Sequence, residues 1–156
     1  MQERLNDKHK TFYEVLKQSS ESSDPVKSLQ DFMLKDGRVK TILGYALNPN
    51  WKMPLPEETP PYIPSNHPIG VAPVEILKTH NKLYIMYNKD TKQFKKEEIF
   101  IQWIEDMAPE EAELMLHIKN QTLDKAFSTL TIDVLISSLG WSKEQFLSLR
   151  DSRKST

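Results

Sequence analysis

The residues whose types and spacing could best support chemistry lie between positions 105 and 117. Glu105, Asp106, Glu110, Glu111 and Glu113 put five carboxylates into nine residues with no basic side chain among them. On a helix opening at Pro109, Glu110, Glu113 and His117 follow at steps of three and four and share one face, as a hard or borderline metal site requires. A helical di-iron centre, however, repeats Glu-x-x-His on facing helices, whereas Glu113 and His117 stand four apart with no second copy. Acidic residues in a first helical turn are also favoured by the helix dipole without any ligand. The cluster is therefore read as a solvated helix face, with no metal and no cofactor.

Other catalytic constellations are weaker still. The chain has no cysteine, which excludes thiolate nucleophiles, disulfides and Cys-based zinc sites. Its four glycines build neither a Gly-x-Ser-x-Gly elbow nor a phosphate loop. His67 and His80 flank a proline-rich stretch without an acid or nucleophile at fixed spacing. His9 falls on an apolar stripe, where a packed or capped imidazole is the ordinary case. The expectation is a protein that is not an enzyme, and a metal-dependent enzyme is the remotest alternative.

One motif carries a function by its shape. From Leu130 to Phe146, a helix capped by Thr131, a stop at Gly140 and a second helix from Ser142 follow helix-turn-helix spacing. Ser142, Lys143 and Gln145 would face bases, and Arg150, Arg153 and Lys154 would lie near phosphates. Against DNA binding, Ile136 is bulky where the two helices need a small residue. The net charge of -1, from 21 basic and 22 acidic side chains, is also unlike that of a polyanion binder. A plain helical hairpin completing the core, with Leu135, Leu139, Trp141, Phe146 and Leu149 inside, explains the same pattern. DNA contact stays as the alternative function.

The positioning elements are expected to be helical. The chain is read as one domain of 156 residues, a mainly α bundle of short helices with a long extended arm packed on it. Leu5, His9, Phe12, Val15 and Leu16 predict a first helix over residues 2–18, before a flexible polar link at Ser19–Ser23. Asp24-Pro25 supplies an N-cap and a first-turn proline for a helical pair over 24–48, broken at Lys35-Asp36-Gly37. Its inward residues are Val26, Leu29, Phe32 and Met33, then Val39, Ile42, Leu43 and Ala46.

Eight of the ten prolines lie in the next stretch, 49–73. Proline lacks the amide donor, so this arm cannot be a helix interior or a central strand. Trp51, Leu55, Tyr62, Ile63 and Ile69 are expected to dock it on the body of the domain, residues 74–150. An SH3- or WW-type ligand is the less favoured reading, since such ligands lack interleaved large apolar anchors.

In that body, residues 74–87 fit a helix through Ile76, His80, Leu83, Tyr84 and Tyr87, although 82–87 has the content of a strand. Ile99, Phe100, Trp103, Ile104 and Met107 form one broad helical face, with Lys96, Glu97 and Glu105 outside it. Ala112, Met115, Leu116 and Ile118 form that of the helix after Pro109. Residues 151–156 are a polar tail.

Mean hydropathy is -0.58, and no apolar run approaches a membrane span. The charged N-terminus has no apolar core, so a soluble cytoplasmic protein is expected. With catalysis set aside, the expected action is contact with a protein partner, and no membrane. Trp51, Tyr62 and Trp141 are the interaction candidates, because Trp and Tyr dominate interface energetics. Trp103 is assigned to the core by its helical spacing.

Several stretches carry a resemblance: Asn48-Pro49-Asn50-Trp51-Lys52 into Leu55-Pro56-Glu57, Pro60-Pro61-Tyr62, Lys82-Leu83-Tyr84, Glu98–Glu105 leading to Pro109–Leu114, and Leu130-Thr131. Over roughly residues 25–140 the chain resembles an uncharacterised family of small proteins from T-even-like tailed bacteriophages. It departs from the pattern at Ala108, where a capping side chain is expected, and after Leu139. The resemblance implies a phage source and brings no activity; the expectation is a protein of the infected bacterium's cytoplasm or of the virion that binds a host protein or a virion component.

Overall fold

The first helix among the described residues is set by a capping box. Thr11 Oγ1 accepts the amide of Glu14 at 3.2 Å, and Glu14 Oε1 accepts the amide of Thr11 at 3.0 Å, so α1 runs over Phe12–Ser20. These details come from a computed structural model, which describes the backbone of residues 10–154 and side chains through Ser148. The capping box corrects the expectation of one continuous helix over 2–18, because the cap at Thr11 starts a new helix there; residues 2–9, Leu5 and His9 among them, lie outside the described residues. At the other end the helix continues through Ser20, and buried Ser19 shares a 2.9 Å hydrogen bond with Ser28. The expected free link is therefore partly core. Thr11→Ala should lower stability by about 1 kcal/mol in chemical denaturation, and a loss within error of zero would mean the cap is dispensable.

Asp24 caps α2 (Pro25–Lys35) through the amide of Lys27, and Asp36 alone separates it from α3 (Gly37–Leu47). Asp36 ends one helix and caps the next, accepting Arg38 N at 3.0 Å. The Arg38 guanidinium, 2.7 Å away, holds the Asp36 carboxyl below its usual value. Leu29, Val39, Ile42, Leu43 and Ala46 are buried, as expected.

The arm is irregular after a 3-10 turn at Pro49–Trp51. Leu55 and Tyr62 pack on the core, and Met53, not anticipated, is buried. Ile63 instead points outward, 78% exposed, because its own amide is what docks, donating to Glu105 Oε2 at 2.9 Å. Trp51 is half exposed and Ile69 half-buried.

Residues 76–87 form two 3-10 turns, Ile76–Thr79 and Leu83–Tyr87, rather than an α-helix or a strand. A period of three puts Leu83 and Met86 on one inward side and leaves Tyr84 mostly exposed. Helices α4 (Gln93–Asp106) and α5 (Pro109–Asn120) follow. Phe100, Trp103, Ile104 and Met107 are buried as expected; Lys96, expected outside, is buried too. Helix α5 packs against α1, α3 and α4 and so holds the centre.

A 3-10 turn at Leu123–Lys125 leads to α6 (Ile132–Ser138) and α7 (Lys143–Lys154). Thr131 caps α6 as expected. Gly140, at φ 77°, closes it, with Trp141 N donating to Ile136 O at 3.0 Å. No strand occurs among the described residues, and the mainly α expectation holds.

Candidate functional site

The acidic run does not form one solvated face. Glu110 and Glu113 are exposed, but Glu111 is 1% exposed and both of its oxygens are engaged. Oε2 accepts the amide of Tyr13 and Oε1 that of Ile76, each at 2.9 Å, in the first turn of α1 and of the 3-10 turn at Ile76–Thr79. Burial pushes the carboxyl up to about 7; the two amides oppose this, and Glu75 and Glu14 add to it. One buried acid thus caps two helix starts remote in sequence. Among the described residues, no nucleophile or imidazole is bonded to it. His117 Nδ1 lies 2.8 Å from Thr122 Oγ1 and His80 Nδ1 2.9 Å from Leu77 O. Among the described residues, no three His, Cys, Asp or Glu side chains gather as metal ligands.

The other end of α5 ties down the arm. Lys119 is 2% exposed, and its ammonium donates to Pro56 O at 2.5 Å, Asn120 Oδ1 at 2.8 Å and Glu58 O at 3.4 Å. Burial lowers its pKa, against the pull of Glu57. Asn120 Nδ2 donates to Glu57 O. Gln121, left-handed at φ 56°, sends its side-chain amide to Tyr45 O at 3.1 Å and Asn48 O at 2.6 Å, closing the end of α3.

That closure shapes an aromatic surface. The rings of Tyr45 and Trp51 meet edge-on at 4.8 Å, and Tyr45 stacks on Tyr87 at 5.7 Å. The Tyr87 hydroxyl donates to the Trp51 carbonyl, and the Trp51 amide to Asn48 O at 2.9 Å. Trp51 is held by its backbone and by the Tyr45 ring, and the residue is 47% exposed. Helix α7 packs on the same turn, and a groove of about 600 Å³ lined by Asn48, Trp141, Gln145 and Phe146 opens there. Asn48, beside the Pro49–Trp51 turn, thus lines one groove with Trp141, which is itself half-buried. Tyr62 does not join them: it is half-buried, and Glu113 adds to the effect of burial in raising its hydroxyl. Trp51 was legible in the sequence as a large aromatic beside prolines, whereas nothing local pointed to Tyr45 and Tyr87 as its supports.

Residues 12–125, from the first residue of α1 to the 3-10 turn before α6, match a family of unknown function, DUF6433. The chain belongs to DUF6433. Compared with the expected span of 25–140, the DUF6433 match begins earlier and stops sooner. It contains Tyr45, Trp51, Tyr62, Tyr87, Glu111 and Lys119, and leaves Trp141 and the α6–α7 pair beyond it. No curated protein and no solved structure matches the chain.

Outside the DUF6433 segment, the residues assigned to base contact are partly committed. Ser142 Oγ accepts the amide of Gln145 at 3.1 Å as an N-cap, and Lys143 Nζ lies 3.6 Å from Asp133. The Gln145 side chain is exposed, and Phe146 is buried. The Arg150 side chain lies outside those described.

Proposed function

We propose that the protein acts without catalysis, by contact with a protein partner through the aromatic surface at Trp51. The observation that carries this reading is a tryptophan whose ring meets Tyr45 and whose backbone carbonyl is bonded by the Tyr87 hydroxyl, while nearly half of the residue stays open to solvent. A large side chain ordered before binding loses little entropy on contact, which is what makes tryptophan an interface anchor. Trp141 and the groove beside α7 extend the surface. Glu111, His80 and His117 are hydrogen-bonded within the fold and are not bonded to one another, which supports contact over catalysis. The resemblance to phage proteins supplies the setting: the infected bacterium's cytoplasm or the virion, with a host protein or virion component as partner. DNA contact through Lys143 and Gln145 is the weaker alternative, since the capping role of Ser142 and the Lys143–Asp133 pair would have to be given up.

Side-by-side capture from phage-infected cells with the wild type and Trp51→Ala tests the reading. One dominant protein should be retained by the wild type and reduced at least about tenfold on the variant, with the two circular dichroism spectra superimposing. Equal recovery on both would remove Trp51 from the interface.

A further inference from the structure

The outer side of α4 sets two apolar side chains, exposed Phe94 and half-buried Ile101, among acidic ones. Phe94, Glu97, Glu98, Ile101, Gln102 and Glu105 follow at steps of three and one, so they form a single stripe. It is distinct from the core stripe of Phe100, Trp103, Ile104 and Met107. A concavity of about 530 Å³ lies along it, and Phe94 is 65% exposed at one end. Through Glu97 and Ile101 this groove joins a second one, of about 210 Å³, between α4 and the arm, walled by Leu55, Pro56, Pro60 and Pro61.

The charge around this apolar floor has one dominant sign. Glu97, Glu98 and Glu105 line the first concavity and Glu58 and Glu97 the second. Lys95 lies 3.8 Å from Glu98, and the Lys119 ammonium is turned into the arm's carbonyls. Glu58 and Glu97 take part in no ion pair among the described residues.

We propose that this face docks a basic amphipathic helix of another protein, its apolar stripe over Phe94 and Ile101 and its Lys or Arg side chains against the glutamate rim. The two anchors are seven residues apart, about 10 Å along the helix axis, which matches i and i+7 anchors on a partner helix. Phosphate-rich surfaces, whether nucleic acid or anionic lipid, are repelled by the same rim. A second copy of the chain would set glutamates against glutamates across a two-fold axis. This surface is separate from the one at Trp51, and the proposal does not rest on it.

The probe is a synthetic helix of about 15 residues, leucines on one face flanked by lysines. Its twin with glutamate for lysine and a scrambled peptide of the same composition serve as controls, all measured by isothermal titration calorimetry on the full chain. The lysine helix should bind, with affinity falling as salt rises, and the twin and the scrambled peptide at least about tenfold more weakly. Phe94→Asp and Ile101→Asp should each weaken it at least about tenfold although each adds negative charge, so simple attraction of opposite charges predicts the reverse. Trp51→Ala should leave it unchanged, which separates this result from the fate of the Trp51 surface. Phe94 is exposed, so its variant keeps the fold, as circular dichroism can verify. Absence of binding at about 1 mM peptide, about 4 kcal/mol of binding energy, would overturn the proposal. So would equal affinity for the scrambled peptide, or undiminished binding to Phe94→Asp.

Discussion

Glu111→Ala is expected to lower folding stability by about 2–4 kcal/mol, since a backbone amide left unsatisfied inside a protein costs about 1–3 kcal/mol. Two amides lose their acceptor together. That of Ile76 is fully buried and that of Tyr13 partly so, and both are first-turn donors with no partner inside their own helical turn. Among the described residues, no other carboxylate is bonded to either amide. The loss should also be local, with amide exchange rising first in α1 and at residues 76–79. A change below 1 kcal/mol, typical of a surface position, would mean that water replaces the carboxylate at both amides.

The same residue should tilt stability with pH. Its carboxyl titrates near 7 in the fold against an ordinary value of 4.5, so between those values the folded chain holds a proton that the unfolded chain has lost. Its contribution to stability therefore falls as pH rises through this window and is level on either side, with a total loss of about 3 kcal/mol. Glu111→Gln cannot ionise and should lack that slope, while losing one of the two acceptors at every pH. Urea denaturation of both proteins from pH 4 to 8 reads the difference directly. Parallel curves would show that the two amides outweigh burial and keep the acid ionised.

Local chemistry is what the sequence made readable. Asp24-Pro25, Asp36, Thr131 and Gly140 act within a few residues of themselves, and the helix ends they set lie where those residue types place them. The capping box at Thr11 and Glu14 was equally local, but the apolar spacing of Leu5 and His9 concealed it. Charged residues on inward positions were the harder case. Glu111 stands four and seven residues before Met115 and Ile118, Lys119 four and seven after Met115 and Ala112, and Lys96 four and seven before Phe100 and Trp103. The apolar stripe therefore included all three, and their charge argued them out of it. The course of the arm had no signal at all. It is fixed by Glu105, Lys119, Asn120 and Gln93, each bonded to backbone about 40 to 60 residues away, and proline content states only what the arm cannot be. The aromatic surface likewise depends on Tyr45 and Tyr87 meeting across an intervening arm.

Lys119→Met is expected to free the arm without emptying the core. Methionine fills nearly the same volume but donates nothing, so the carbonyls of Pro56 and Glu58 lose their shared donor. Global stability should fall by about 1–3 kcal/mol, and the arm should open locally by more than the whole chain does. Three prolines between 54 and 60 give this stretch few amides of its own to hold it. A glutamate-specific protease acting at Glu57 and Glu58 under native conditions reads that opening, and cleavage should accelerate at least about tenfold. Lys52→Met, which breaks only the exposed 2.7 Å pair with Glu57, should leave the rate almost unchanged. Equal acceleration by both variants would show surface charge near the cleavage site at work, and no acceleration by either would show that Met53, Leu55 and Tyr62 hold the arm through packing alone. Because Pro56 and Lys119 also wall the groove beside α4, a freed arm should weaken binding of the lysine-rich helix while leaving the surface at Trp51 intact.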